Sequence, residues 1–199
     1  KSSEPQRINH FAHVNYSYEN QILGKLLCIN GAGILFRWLR NNTRANDYGT
    51  MNELAEKIAI GSNALCVLPF GNGAERMLDN KSVGSKIVNL DFNIHNVANI
   101  YRAALEGIAF AFVYGINILE KDGCEVGVIR AGNDNLFRSK IFSNTISTLI
   151  NQKIEIYATT GAVGAARAAL INGNDFGAFK DFLSKNDLVG NFEPKTDKT

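Results

Sequence analysis

The chain has 199 residues, of which 45% are hydrophobic and 20% charged, enough apolar content for a well-buried domain and too much for a disordered chain. Its 21 basic and 19 acidic residues leave a net charge of +2. They are mixed along the sequence with no basic arm or acidic tail, which makes nucleic acid and anionic membranes poor candidates as partners.

The start, Lys1 to Arg7, is polar, lacks an initiator methionine and carries no targeting signal, so it reads as a cut within a longer, cytoplasmic chain. Residues 1–9 are expected to be a flexible start, 10–189 a single domain, and 190–199 a polar tail. Leu23 to Ile29 suits a buried strand, and Ile34 to Leu39 an amphipathic helix that follows Gly31-Ala32-Gly33. A second helix is predicted from Met51 to Ile60, with Leu54, Ala55, Ile58 and Ala59 on one face. A strand then runs from Ala64 to Phe70, and Pro69 should end it. The clearest helix is Ile94 to Leu119, where Val97, Tyr101, Leu105, Ile108, Phe112 and Ile116 recur at three- and four-residue spacing. Val126 to Ile129 and Ile154 to Tyr157 are further strands. Phe137 to Leu149, Gly161 to Leu170 and Phe176 to Leu183 are further helices, the second capped by Thr159 or Thr160. This alternation of strands and helices defines an α/β fold.

The three cysteines, Cys28, Cys66 and Cys124, are widely spaced and flanked by apolar residues, which predicts buried thiols. There is no CxxC or HExxH, and His10, His13 and His95 are the only histidines, so a metal centre would need scattered ligands.

Three glycine-bearing junctions each follow a predicted strand: Gly31-Ala32-Gly33, Ala131-Gly132-Asn133 with Asn135, and Gly161-Ala-Val-Gly164. Small residues before a helix let a phosphate or nucleobase approach the backbone, where free N–H groups and the helix dipole favour an anion. None of the three is a GxxxxGK[ST] or GxGxxG motif, and each has a structural alternative. Gly31 and Gly33 would relieve a crowded turn, Gly161 and Gly164 would allow close helix packing, and Asn133 and Asn135 would cap turns. Trp38 reads as a packed aromatic, Arg37 as a surface residue, and Glu75 and Glu106 as salt-bridge or capping carboxylates. No histidine is nominated as catalytic.

As an ordered set, Leu26-Leu-Cys-Ile-Asn-Gly-Ala-Gly33 with Phe36-Arg-Trp-Leu39, Leu68-Pro-Phe-Gly-Asn-Gly-Ala-Glu-Arg76, Ala103-Ala-Leu-Glu-Gly107, Ile129-Arg-Ala-Gly-Asn133 and Gly161-Ala-Val-Gly-Ala-Ala-Arg167 resembles the C-terminal domain of FGGY-family carbohydrate kinases, from about His10 to Ile171. The resemblance implies an actin-like, ribonuclease-H-like ATPase domain, a mixed sheet flanked by helices. It also implies ATP with Mg²⁺ and phosphoryl transfer to a sugar hydroxyl, with D-xylulose expected ahead of glycerol, ribulose or gluconate. A noncatalytic actin-like binding protein is the reading from another class. By the same resemblance Gly31, Ala32 and Gly33 lie near the nucleotide, and Gly132, Asn133 and Asn135 form its adenosine side. Relatives often have consecutive glycines where this chain has Arg130-Ala131-Gly132. The family's aspartate base and most of its sugar contacts belong to an N-terminal domain, which is thus an expected partner. Asp79, Asp91 and Asp134 are not substitutes for that base, so this chain alone is expected to be inactive. A homodimer is left open.

Overall fold

The first strand, β1 (Asn9–Ala12), pairs antiparallel with β2 (Leu23–Leu26), placing His10 opposite Lys25 and Phe11 opposite Gly24. They open a computed structural model that describes residues 3–13, 17–169 and 187–195. Length alone favours one core, but the chain forms two compact units, Lys1–Glu125 and Val126–Thr199.

In the first unit, β2 is shorter and more exposed than the buried strand expected over Leu23 to Ile29, with only Gly24 and Lys25 partly covered. The packing is done by the residues beyond it: Leu27 and Ile29 lie against buried Ile8, Met77, Ala111 and Ile118. Helix α1 (Ala32–Asn42) buries Ala32, Leu35, Phe36 and Leu39, the one-sided spacing its sequence shows. Its end is tied by the Thr43 hydroxyl, which donates to the Leu39 carbonyl at 2.7 Å.

Helix α2 (Tyr48–Glu56) is capped by Asp47, which accepts the Thr50 N–H at 2.7 Å. It buries Met51 and Ala55, and it stops short of the predicted Ile60, which is exposed. The Lys57 and Ile58 N–H groups bond back three residues, to Leu54 and Ala55, instead of four, and a left-handed turn follows. Gly61, Ser62, Asn63 and Ala64 all have positive φ, which a right-handed helix excludes. Glu106 accepts the Gly61 N–H at 3.1 Å and Ser62 donates its hydroxyl to the Asn99 carbonyl at 3.1 Å. Those bonds hold the turn.

Strand β3 (Cys66–Phe70) alternates, with Val67 and Pro69 inward and Cys66 and Leu68 outward. It pairs antiparallel with β4 (Gly84–Val88), Pro69 opposite Ser85. The strand ends one residue past Pro69. The outward register of β3 exposes Cys66. Cys28 is exposed as well and Cys124 partly so, which corrects the expectation of buried thiols.

Helix α3 (Val97–Lys121) is the core helix of this unit. Asn96 and Asn99 form a reciprocal cap at its start. Tyr101, Leu105 and Ile108 are buried as their spacing predicts, while Val97 sits at the exposed rim and the buried face widens to Ala104, Ala109 and Ala111. A Cβ at Gly107 would lie 1.9 Å from the Val67 carbonyl oxygen, so glycine is what lets α3 press on β3. By length and composition α3 could cross a membrane, but half of its most apolar window is buried within the protein.

In the second unit, β5 (Val128–Gly132) runs parallel to β6 (Lys153–Tyr157), joined through α4 (Lys140–Ile150), and β7 (Leu188–Phe192) pairs antiparallel with the other edge of β6. The result is a mixed sheet of order β5-β6-β7. The Ser139 side chain caps α4 and the Thr160 side chain caps α5 (Gly161–Ala168). Residues 190–192, which their polar composition places in a tail, lie in β7. Its backbone bonds to β6, and the Ser147 hydroxyl donates to the Phe192 carbonyl at 3.1 Å, so a polar composition does not prevent sheet formation here. The helix predicted from Phe176 to Leu183 lies outside the described residues.

Candidate functional site

The first glycine junction is built by two distant sequence segments. Glu75, 1% exposed, directs both carboxylate oxygens at the backbone N–H of Asn30, at 3.2 and 3.0 Å. The Asn30 side chain donates to the Ala74 carbonyl at 2.9 Å, and Asn72 donates to the Asn30 carbonyl at 3.1 Å. A Cβ at Gly31 would fall 1.8 Å from the Pro69 carbonyl oxygen, whereas one at Gly33 would meet nothing within 4 Å. The two glycines therefore differ. Gly31 is required by the close pass of the Pro69 backbone, which favours the crowded-turn reading for that residue, while the backbone at Gly33 is open on its Cβ side. Ala32 lies between them and is buried.

Burial pushes the Glu75 carboxyl above its usual range, and the N–H groups of Asn30 and Gly31 oppose that shift by favouring the carboxylate. Of the five described α-helices, α1 alone has no side-chain cap at its N-cap residue, Gly31, and it has no acidic residue in its first turn. The first N–H groups of a helix lack intrahelical partners and favour an anion. The residues present thus fit a phosphate-bearing group at this turn.

Beside this turn, Trp38 is 55% exposed, against the expectation of a packed aromatic. With Gly31, Ile34, Val67, Pro69 and Lys86 it lines a cleft of about 290 Å³ between α1 and the β3–β4 hairpin.

In the second unit, Gly132 ends β5. A Cβ there would lie 2.6 Å from the Thr159 carbonyl oxygen and 2.9 Å from the Asp134 carboxylate, so neighbouring protein atoms already fill that side. The Asn133 N–H donates to the Tyr157 carbonyl at 2.9 Å, tying the turn to β6. Asn135 caps the following short turn of 3₁₀ helix: its side-chain oxygen accepts the Phe137 N–H at 3.0 Å and its amide donates to Asp134 at 3.3 Å. The capping role is thus realised at Asn135, while the Asn133 side chain is exposed. Arg130 stands opposite Glu155 across β5 and β6 and donates to it at 3.2 Å, and Tyr157 donates its hydroxyl to the same carboxylate at 2.8 Å. Both partners hold Glu155 below the ordinary carboxylate range, Tyr157 most strongly. Among the described residues neither Gly161 nor Gly164 has a neighbour within 4 Å of a built Cβ, which gives no support to close helix packing there.

Several other carboxylates have structural partners. Arg102 donates to Glu106 at 2.6 Å, Arg7 forms a two-pronged pair with Asp79 at 2.8 and 2.7 Å, and Asp91 accepts the Asn93 N–H at 2.8 Å. His95 accepts the Asp91 N–H through Nδ1 at 3.0 Å, with Nε2 3.0 Å from the Asn63 carbonyl. His10 Nε2 lies 3.5 Å from buried Asp122, which Lys25 also contacts at 2.8 Å. Among the described residues no three His, Cys, Asp or Glu side chains gather as a metal set, so this part of the chain does not by itself furnish a carboxylate cage for Mg²⁺.

The chain belongs to the FGGY family of carbohydrate kinases: the model of the family's C-terminal domain matches residues 2–173. Over 130 residues it is 28% identical to the xylulose kinase of Haemophilus influenzae, covering 64% of this chain and 26% of that protein. The xylulose kinase of Rhodospirillum rubrum superposes with a TM-score of 0.77 at 20% identity, covering 96% of this chain and 38% of that one. Glycerol kinase of Plasmodium falciparum, solved with ADP, gives 0.80 at 22% identity, covering 98% and 39%. The fold is the actin-like ATPase fold of these kinases. The chain spans about a quarter of the length of the Haemophilus relative and under two-fifths of each solved chain.

Proposed function

We propose that this chain is the nucleotide-binding half of an ATP-dependent sugar kinase, and that the whole protein transfers the γ-phosphoryl group of ATP to D-xylulose, giving D-xylulose 5-phosphate in the cytoplasm. The observation that carries the reading is the family match across residues 2–173, which includes both the Asn30–Gly33 turn and the segment that cages it. The similarity to a xylulose kinase favours the ketose, and the fold likeness to a glycerol kinase keeps a polyol acceptor as the second reading.

In this reading the N–H groups at Ala32 and Gly33 receive a nucleotide phosphate, and the open backbone at Gly33 admits it. Gly132, Asn133 and Asn135 are assigned to the adenosine side, Asn133 through its exposed side chain. Mg²⁺ would supply charge neutralisation on the nucleotide phosphates, and no residue of this chain is assigned to hold it. The residues of this chain bind and orient, and none is assigned the removal of the sugar proton: Asp79, Asp91 and Asp134 are engaged by Arg7, Asn93 and Asn135. An opposing wall with a base is needed. Steady-state assays test this directly: the 199-residue chain should give no sugar-dependent ADP, and the product of the complete reading frame should give it with D-xylulose. Appreciable turnover by the short chain would contradict the proposal.

A further inference from the structure

We propose that Glu75 is a positioning residue for nucleotide binding: its carboxylate sets the Asn30–Gly33 turn in the form that leaves Gly33 open, a role that rests on the kinase reading above. Three observations converge on it. The side chain is almost wholly buried, yet its two oxygens are aimed at one backbone N–H, that of Asn30, 45 residues away in sequence. A carboxylate is seldom buried unless its hydrogen bonds are made, so the position is not one that burial alone would select. The same seven-residue stretch, Pro69 to Glu75, supplies the other restraints: the Pro69 carbonyl against Gly31, the Asn72 amide on the Asn30 carbonyl, and the Ala74 carbonyl on the Asn30 amide.

The arrangement also divides the donors at the start of α1. Glu75 engages the N–H group of Asn30, which precedes the helix. The N–H groups of Ala32, Gly33 and Ile34 lie in the first turn, where no intrahelical carbonyl reaches them. Glu75 thus holds the turn from beneath and leaves the next three donors for a ligand. Without it, the Asn30 N–H would lose its carboxylate acceptor, and the turn would shift toward whatever acceptor is nearest.

The test uses the full-length protein and follows two readouts: KM for ATP and for sugar in turnover, and the dissociation constant for ADP by equilibrium titration. Glu75→Gln keeps the shape but faces the Asn30 N–H with a weaker acceptor. It should raise KM for ATP and the ADP dissociation constant roughly tenfold, with KM for sugar near the wild-type value. Glu75→Asp, which keeps the charge, should recover part of that loss. Asn72→Ala removes an exposed restraint on the same turn and keeps the question answerable where a Glu75 variant fails to fold; it should give a smaller rise in the same two constants. Wild-type ADP affinity in both Glu75→Gln and Asn72→Ala, or an equal rise in KM for both substrates, would overturn the proposal. A wild-type protein that binds ADP but phosphorylates no sugar would instead remove the kinase reading, leaving the ADP titrations to decide the role of Glu75.

Discussion

The α-carbon of Gly31 faces the Pro69 carbonyl so closely that a β-carbon would lie 1.8 Å from its oxygen, while Gly33, two residues on, faces open space. The two glycines of one short motif therefore serve different ends. Gly31→Ala should force the β3 backbone away and cost about 2–3 kcal/mol of stability, read as a lower denaturant midpoint. Gly33→Ala should leave the midpoint within about 1 kcal/mol of wild type, since alanine is also the better helix former, and should weaken ADP binding. Equal effects of the two substitutions on stability would refute the distinction.

Gly107 offers the same kind of test away from the nucleotide. A Cβ there would lie 1.9 Å from the Val67 carbonyl oxygen, and Val67 is backbone of a paired strand that cannot yield as a side chain would. Gly107→Ala is expected to destabilise by about 2–3 kcal/mol, although alanine normally strengthens a helix interior. Thermal melts of the variant read the sign: a higher melting temperature would contradict the packing.

Glu75 gives a pH dependence opposite to that of most carboxylates. Burial raises its folded pKa above 4.5, so the folded state binds its proton more tightly than the unfolded state does. Its contribution to stability is then complete below 4.5 and declines as pH rises through the folded pKa. Denaturant midpoints of wild type and Glu75→Gln, compared from about pH 4 to about pH 7, should show the wild-type advantage shrinking with rising pH. A growing advantage would mean that the N–H groups of Asn30 and Gly31 outweigh burial.

Asp79 runs the other way. The hydrogen bonds from Arg7 hold it below 3.8 when folded, so its contribution is present above 3.8 and is lost as pH falls through the folded pKa. Asp79→Asn should be less stable than wild type near neutrality and should converge with it in acid. Persistence of the gap at low pH would assign the effect to packing instead of charge.

Much of this molecule is legible in its sequence where one-sided apolar spacing is strong. Helices α1 and α3 follow from Leu35, Phe36 and Leu39 and from Tyr101, Leu105 and Ile108, and β6 from the alternation around Ile154 and Ile156. Strands β4 and β7 escape because their residues are mostly exposed, and pairing is fixed by backbone bonds to a neighbour far along the chain. The turn beyond α2 has four left-handed residues, of which only Gly61 announces itself. At the candidate site, the sequence shows Gly31, Gly33 and Glu75 and supports a capping role for the carboxylate. What it cannot show is which donor Glu75 meets, because Asn30 is brought to it by tertiary packing alone. Asn72 and Ala74 gave no chemical signal beyond their place in the same motif.

The central claim is best tested by kinetics on the product of the complete reading frame, with MgATP and a panel of D-xylulose, ribulose, gluconate and glycerol, identifying the phosphorylated product. The account predicts ADP formation that depends on sugar, is fastest with D-xylulose, and yields D-xylulose 5-phosphate. A folded protein that binds ADP yet phosphorylates none of the four would contradict it and favour a noncatalytic actin-like role.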